Sequence, residues 1–535
     1  MRIIYKIKCF IEHRLENYEW SECIKAFGKA NKKIWDSPDR DMKKGHIFIA
    51  NTIHNANEFL YEVLLFAKGM EKERPSNICV LSMKKDRGIR TFVDSFGAKY
   101  RMILQYDLIV AIKTCLLIIQ LFRKKLDGTK LLATECCEIL IGPAIYDTIL
   151  LKLGEYTIRR VNQIAYFHIL WRFIYATYKL DRLFAYYTPA ACIVMEEAYE
   201  AEIFRRMAVK YDVNIIWVNK MVKQYVDVNG EKTTYYQRIL EREILEHFEK
   251  SEKENFEEQT QKMLKAYYEK GNESELRGRT LTGLAVKGKI YASEETIREN
   301  LKIDLNRKNV FVFCHCLTDG PHGCPNLCFN DYFEWLDETL MVAKEIKDVN
   351  WIVKFHPDRV RRNVGERRGE SKIREKYNNV SNIFFFPDNY SIASVVPVAD
   401  IIVTACGEVG EEMACFGIPT IAAGKPYYGN MKYIHSFSDK VEYKKCLREI
   451  SKVDKLTDEE ILLAKKFFYA HSISSKLIDG DTIGKLIIEC NNRRLREKVA
   501  PRVINIYFLK KILENDIIKQ SKKSSLYEFG KSHNI

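Results

Sequence analysis

Between Asn309 and Asn430 the chain alternates short apolar runs with longer amphipathic stretches, and this alternation constrains the fold more than any other feature. The strand-like runs are Asn309–Cys314, Trp351–His356, Asn382–Pro387, Asp400–Ala405 and Pro419–Ala423. Runs of this kind suit strands buried on both faces, and helix-length spacers between them suit parallel crossovers. The expectation is a parallel sheet covered by helices, with ligands bound beyond the carboxyl ends of its strands.

The first half repeats the pattern more loosely. Strands are expected at His46–Ala50, Asn77–Ser82, Glu138–Ile141, Ala191–Met195 and Val213–Val218. Helices are expected near Asn55–Lys68, Thr91–Tyr100, Leu108–Arg123 and Ala198–Lys210. A chain of 535 residues exceeds one ordinary core. The division read from the pattern is a first Rossmann-like domain over 1–300, a second Rossmann-like, ligand-binding domain over 301–490 and a basic tail over 491–535. Residues 239–277 are dense in Glu, Lys and Arg and read as a solvent-facing helical insertion. The tail carries an apolar patch, Val503–Leu513, suited to packing back on the first domain or touching a membrane.

The formal net charge of +14 favours anionic partners. Nucleic acid is set aside, because the tail lacks aromatic-basic interleaving beyond Tyr507-Phe508. The 15 cysteines form no even, regular framework and read as reduced thiols of a cytosolic protein. The N-terminus has no apolar signal region. Met102–Phe122 is interrupted by Asp107, Lys113 and Gln120, so it reads as a buried helix or one lying on a membrane surface.

Chemistry gathers where strands of the second unit end. After the first come His315, Cys316, Asp319, Gly320 and His322, then a helix opened by Asp331 and Glu334 as a capping box. Cys314, Cys316, His322, Cys324 and Cys328 could be zinc ligands, but they lack paired CxxC knuckles, and no metal is assigned. After the second strand, Lys354-Phe-His356-Pro357 puts a cation and an imidazole on one face of the rim. After the fourth, Gly407-Glu408-Val409-Gly410-Glu411-Glu412 turns directly into a helix, whose first N–H groups suit a phosphate and whose Glu412 suits ribose hydroxyls.

These residues carry a family resemblance. Glu412-Met-Ala-Cys-Phe-Gly-Ile-Pro419 resembles the Glu-Ala-x-Ala-x-Gly-x-Pro helix of GT-B glycosyltransferases. The Gly407–Glu412 turn, Lys354-Phe-His356-Pro357 and Gly424-Lys-Pro-Tyr-Tyr-Gly429 are similar to motifs of bacterial capsule polysaccharide biosynthesis proteins, a family that includes Kdo transferases. Position 408 is Glu where that family usually has Ser or Thr, and Thr404 removes the Glu-x7-Glu pair of common retaining enzymes. The resemblance implies an α/β protein of two Rossmann-like domains facing across a cleft.

It also implies a cytoplasmic transferase at the inner face of the cell membrane, moving a sugar from a nucleotide-activated donor, CMP-Kdo among the candidates, to a polysaccharide or glycolipid acceptor. No cofactor is expected. Lys354, His356, Gly407, Glu408, Gly410, Glu412 and Asp319 are the expected donor-binding residues. Glu196, Asp147 and His315 are the catalytic candidates, with Glu197 beside them. Two other readings share the fold: a CDP-polyol phosphotransferase of the teichoic-acid type, and an inactive module that binds glycan or scaffolds capsule assembly.

Overall fold

The computed structural model describes residues 2–35, 45–52, 56–83, 85–124, 126–161, 163–196, 198–218, 222–225, 256–270, 289–324, 326–469, 482–496, 499–514 and 517–532. Glu197 and most of the charged insertion fall outside them. The first sheet contains β1 (His46–Asn51), β2 (Asn77–Ser82) and β3 (Lys99–Met102). A separate two-stranded ribbon follows, β4 (Glu135–Cys136) and β5 (Ile139–Leu140). The first sheet is completed by β6 (Ala191–Val194), β7 (Asn214–Val218) and β8 (Val222–Tyr225). The second sheet contains β9 (Lys308–Phe313), β10 (Val349–Lys354), β11 (Ile383–Phe385), β12 (Ile401–Thr404), β13 (Thr420–Ala422) and β14 (Ile434–Ser436).

The sheets run β3-β2-β1-β6-β7-β8 and β11-β10-β9-β12-β13-β14. Ranked along the chain, each order is 3-2-1-4-5-6, and every pairing is parallel except β7 with β8. Both are Rossmann-like, with switch points between β1 and β6 and between β9 and β12. Buried apolar side chains cover both faces of each sheet. The loops at the carboxyl ends of β6 and β9 meet: Tyr199 Oη donates to Asp319 Oδ1 at 2.9 Å. The two sheets therefore face each other across a cleft, as the resemblance implied.

Two expectations are corrected. Glu138–Ile141 does not enter the first sheet, since Ile139–Leu140 pairs in the separate ribbon; the third strand is Lys99–Met102, within and beyond the expected helix Thr91–Tyr100. The segment Lys99–Met102 is a half-buried edge strand whose polar residues hide the strand pattern. The described part of the charged insertion, helix Phe256–Lys270, is not wholly solvent-facing: Leu264 and Thr260 are fully buried, and Phe256 meets Tyr469 edge-on at 6.1 Å. The tail follows the first of its two expected courses and packs back on the first domain. Helices Thr482–Arg496, Pro501–Glu514 and Ser525–Ser532 pack on the first sheet's helices, and Ile504, Phe508, Leu509 and Tyr527 join the core that contains Phe27 and Tyr61.

Candidate active site at the domain cleft

His315 stands at the second switch point. Its ring stacks on Tyr332 at 4.3 Å, and Nε2 accepts from Cys406 N at 3.1 Å, with Thr404 Oγ1 at 3.4 Å. The bond from a backbone N–H requires a bare Nε2, so the neutral ring carries its proton on Nδ1. Burial, and then the nearby His356, hold His315 down at about 3. His315 thus joins the loop after β9 to the turn after β12. It presents a dipole there at neutral pH, not a cation.

Lys354 ends β10, where its ammonium lies over Phe313 at 5.6 Å and near Phe386 at 6.0 Å. Burial lowers it to about 8, so it remains mostly a cation at pH 7. His356 does not share the strand's alternation, because the strand stops at Lys354. It caps the 3-10 turn Pro357–Arg361: Nδ1 accepts from Asp358 N at 3.1 Å, with Cys316 Sγ at 3.2 Å. Burial pushes His356 down to about 4, with Asp358 opposing and Lys354 adding to the fall. It too is neutral.

The turn after β12 is fixed from beneath. Thr404 Oγ1 accepts from Gly407 N at 3.2 Å, and Tyr428 Oη donates to Gly407 O. Gly407 lies beside His315, where a Cβ would stand 3.6 Å from Nε2. Glu408 is the N-cap residue of the short helix Val409–Ala414, and Glu412 is buried within it. Gly410 also has a packing role. A Cβ there would lie 2.4 Å from Tyr428 Oη and 2.8 Å from Thr420 Cγ2, so the glycine admits packing from behind.

Asp319 is engaged across the cleft, paired with Arg362 and accepting from Tyr199. Arg362 was not anticipated, nor was Arg359, which pairs with Glu370 and Asp388. The run Pro357-Asp-Arg-Val-Arg-Arg362 directly after the strand was the available signal. Asp147 is not at a strand end. It lies fully buried on helix Gly142–Leu153, where Oδ1 meets His322 Nδ1 at 2.5 Å and Oδ2 accepts from His322 N at 3.2 Å. Burial alone would lower His322; its pairing with Asp147 reverses this and raises it. Glu196, half-buried just past β6, accepts from Thr52 Oγ1 at 3.4 Å.

The cysteine expectation is corrected. Cys324 and Cys406 form a disulfide between the loops after β9 and β12. A bridge across 82 positions leaves no spacing pattern to read. Among the described residues no group of three or more His, Cys, Asp or Glu side chains is placed to hold a metal ion.

No family model and no curated protein sequence matches the chain. Among solved structures, the chain is similar to a KpsC beta-Kdo 2,4-transferase from Thermosulfurimonas dismutans, with 13% identity and a TM-score of 0.33 over 53% of this chain and 79% of that one. A KpsC beta-Kdo 2,7-transferase from the same organism gives 12%, 0.28, 54% and 80%. A UDP-GlcNAc 2-epimerase from Methanocaldococcus jannaschii gives 11%, 0.26, 76% and 92%. These superpositions are distant, and the fold assignment stands on the strand orders of the chain itself.

Proposed function

We propose that this chain is a glycosyltransferase that holds a nucleotide-activated sugar at the carboxyl edge of the second sheet. It moves the sugar to a hydroxyl of an acceptor held by the first domain. The observation that carries this reading is the convergence of His315, Lys354, His356 and the Thr404–Gly407 turn at one switch point, opposite the loop after β6. The acceptor is a capsule or surface polysaccharide or its lipid anchor. The likeness of Lys354-Phe-His356-Pro357 to the capsule family favours a CMP-linked acidic sugar as donor.

Departure of a nucleotide leaves negative charge on phosphate oxygen, which preorganised donors and cations stabilise. Lys354 supplies charge to that leaving group. The two neutral histidines supply N–H dipoles. Glu412 takes ribose hydroxyls, as the resemblance implies. This route draws on the chain's own groups without a metal. The acceptor hydroxyl needs a base. Glu196 is better suited than Asp147, because Asp147 is sealed in its pair with His322. His315 Nε2 is occupied by Cys406 N, so His315 positions the turn.

A thermal-shift panel of CMP, UDP, GDP and CDP-glycerol tests the reading. CMP is expected to raise the melting midpoint of the wild type and to do so less for Lys354→Met and His356→Asn. Glu196→Gln is expected to keep the CMP shift and lose transfer. Stabilisation by none of the four would sink the proposal. Stabilisation and turnover only with a CDP-polyol would move it to polyol-phosphate transfer.

A further inference from the structure

Helix Leu108–Arg123 was expected to be buried or to lie on a membrane, and its packing decides between these. Only Val110, Thr114, Ile118 and Leu121 are buried against the first domain. The opposite side is open: Ile109 is 63% exposed, Ile112 52%, Leu116 56% and Ile119 48%. These positions recur at intervals of three and four and make one continuous apolar stripe. Helix Gln163–Tyr187 packs beside it and runs antiparallel, since Arg182 Nη1 donates to Asp107 Oδ2 at 2.8 Å at one end and Val161 N donates to Leu126 O at 3.2 Å at the other. The start of that second helix adds Ile164, 91% exposed, and Phe167. Isolated exposed apolar residues are ordinary, but a stripe extended across two helices marks a contact surface.

The charge around the stripe identifies the partner. Residues 108–126 and 156–180 contain no Asp or Glu, although the chain carries 72. They do contain Lys113, Arg123, Lys124, Arg159, Arg160 and Arg172. Arg123, Lys124, Arg159 and Arg160 are exposed and form no ion pair among the described residues. An apolar stripe with a predominantly basic margin complements an anionic lipid surface: the hydrocarbon boundary takes the stripe, and the headgroups take the cations. No described helix is long and apolar enough to cross a membrane.

We propose that the face formed by helices Leu108–Arg123 and Gln163–Tyr187 docks the protein on an anionic bilayer, lying on it without spanning it. The basic end of this face leaves directly from the domain junction: Arg368 Nη2 donates to Gly154 O at 2.6 Å, only a few residues before Arg159. Docking here holds the cleft close to the lipid surface. The contact requires nothing of the transferred sugar, so donor binding and vesicle binding succeed or fail separately.

The test is co-sedimentation of the full chain with phosphatidylcholine vesicles, with and without about a quarter phosphatidylglycerol. The wild type is expected to bind the anionic vesicles and to be released as salt is raised to about 0.5 M. Ile112→Ser with Leu116→Ser is expected to weaken binding about ten-fold or more. Arg159→Glu with Arg160→Glu is expected to weaken it by a similar factor. All of these side chains are exposed, so the melting midpoint of each variant should match the wild type, which separates lost docking from lost folding. Three results would overturn the proposal: no wild-type binding, equal binding to neutral vesicles, or full binding by both variants. A chain that is dimeric by light scattering, becomes monomeric in Ile112→Ser/Leu116→Ser and ignores vesicles would assign the face to a second copy instead.

Discussion

At Gly410 a hydrogen occupies space that any larger group would contest with Tyr428 Oη and Thr420 Cγ2. The tyrosine cannot retreat freely, because the same hydroxyl donates to Gly407 O and the ring is fully buried. Gly410→Ala is expected to cost about 1–3 kcal/mol by overpacking. Because the displaced group props the Gly407 turn, it should weaken nucleotide binding as well. Denaturant titration with and without nucleotide measures both, and an unchanged midpoint would show that the pocket behind the turn gives way easily.

His315 and His356 make an opposite kind of demand. Each is held below its ordinary value near 6.5, so each favours the neutral form in the folded chain. Their contribution to stability is present above about pH 6.5 and is lost as pH falls toward about 4 for His356 and about 3 for His315. His322 has the reverse sign: its raised value adds stability below about pH 6.5, lost as pH rises through the folded value. Two histidines resist acid and one favours it, so their combined effect should be destabilisation as pH falls below about 6.5. His356→Asn keeps an acceptor for the Asp358 cap and removes one titration. A flatter melting-midpoint profile between about pH 6.5 and 4 is expected. A profile as steep as the wild type's would remove His356 from the account.

At the scale of elements, the loop after β9 is held by a helix from the far side of β10. Glu366, in the first turn of helix Val364–Tyr377, accepts from Leu317 N at 2.9 Å, Thr318 N at 3.0 Å and Thr318 Oγ1 at 3.2 Å. Glu366→Ala leaves two buried N–H groups without that acceptor and is expected to cost about 2–5 kcal/mol. Hydrogen exchange at Leu317 and Thr318 should rise by more than the global loss explains. If it tracks global unfolding alone, the loop is held by the Cys324–Cys406 bridge instead.

This network shows what the sequence could and could not convey. The strands β1, β2, β6, β7, β9, β10 and β12 are short apolar runs, and their positions were readable from burial on both faces. Polar edges such as Lys99–Met102, and short late strands such as Val222–Tyr225 and Ile434–Ser436, lack that signal and were missed. The site residues were found because they follow strands. Their partners were not: Glu366, Arg362 and the cysteine pair meet only after the chain has folded. Asp147 was chosen as a turn carboxylate, but its role is fixed by a histidine 175 positions away.

At the scale of the whole molecule, the chain closes on itself. Having built the second sheet, it returns to finish the first domain's core with helices Pro501–Glu514 and Ser525–Ser532. Tyr61 and Ser521 hydroxyls meet at 2.5 Å, and Asn57 N donates to Asn505 Oδ1 at 3.1 Å. Removing residues 500–535 would expose Ile504, Phe508, Leu509, Ile512 and Leu526, each worth about 1.5–3 kcal/mol of burial. That sum rivals the whole net stability of an ordinary domain, so the truncated chain should not fold its first half. A milder change isolates the closing contact. A Cβ at Gly530 would lie 2.2 Å from Phe66 O, and one at Gly69 would lie 2.2 Å from Tyr527 O, so two backbones meet where only glycines fit. Gly530→Ala forces those helices apart and is expected to cost about 1–3 kcal/mol. The loss should fall on the first domain, read by proteolysis within helix Asn57–Glu73, while the nucleotide-induced shift of the second domain persists. If both domains lose stability together, the returning helices couple the two halves into one folding unit, and the sheets are not independent modules.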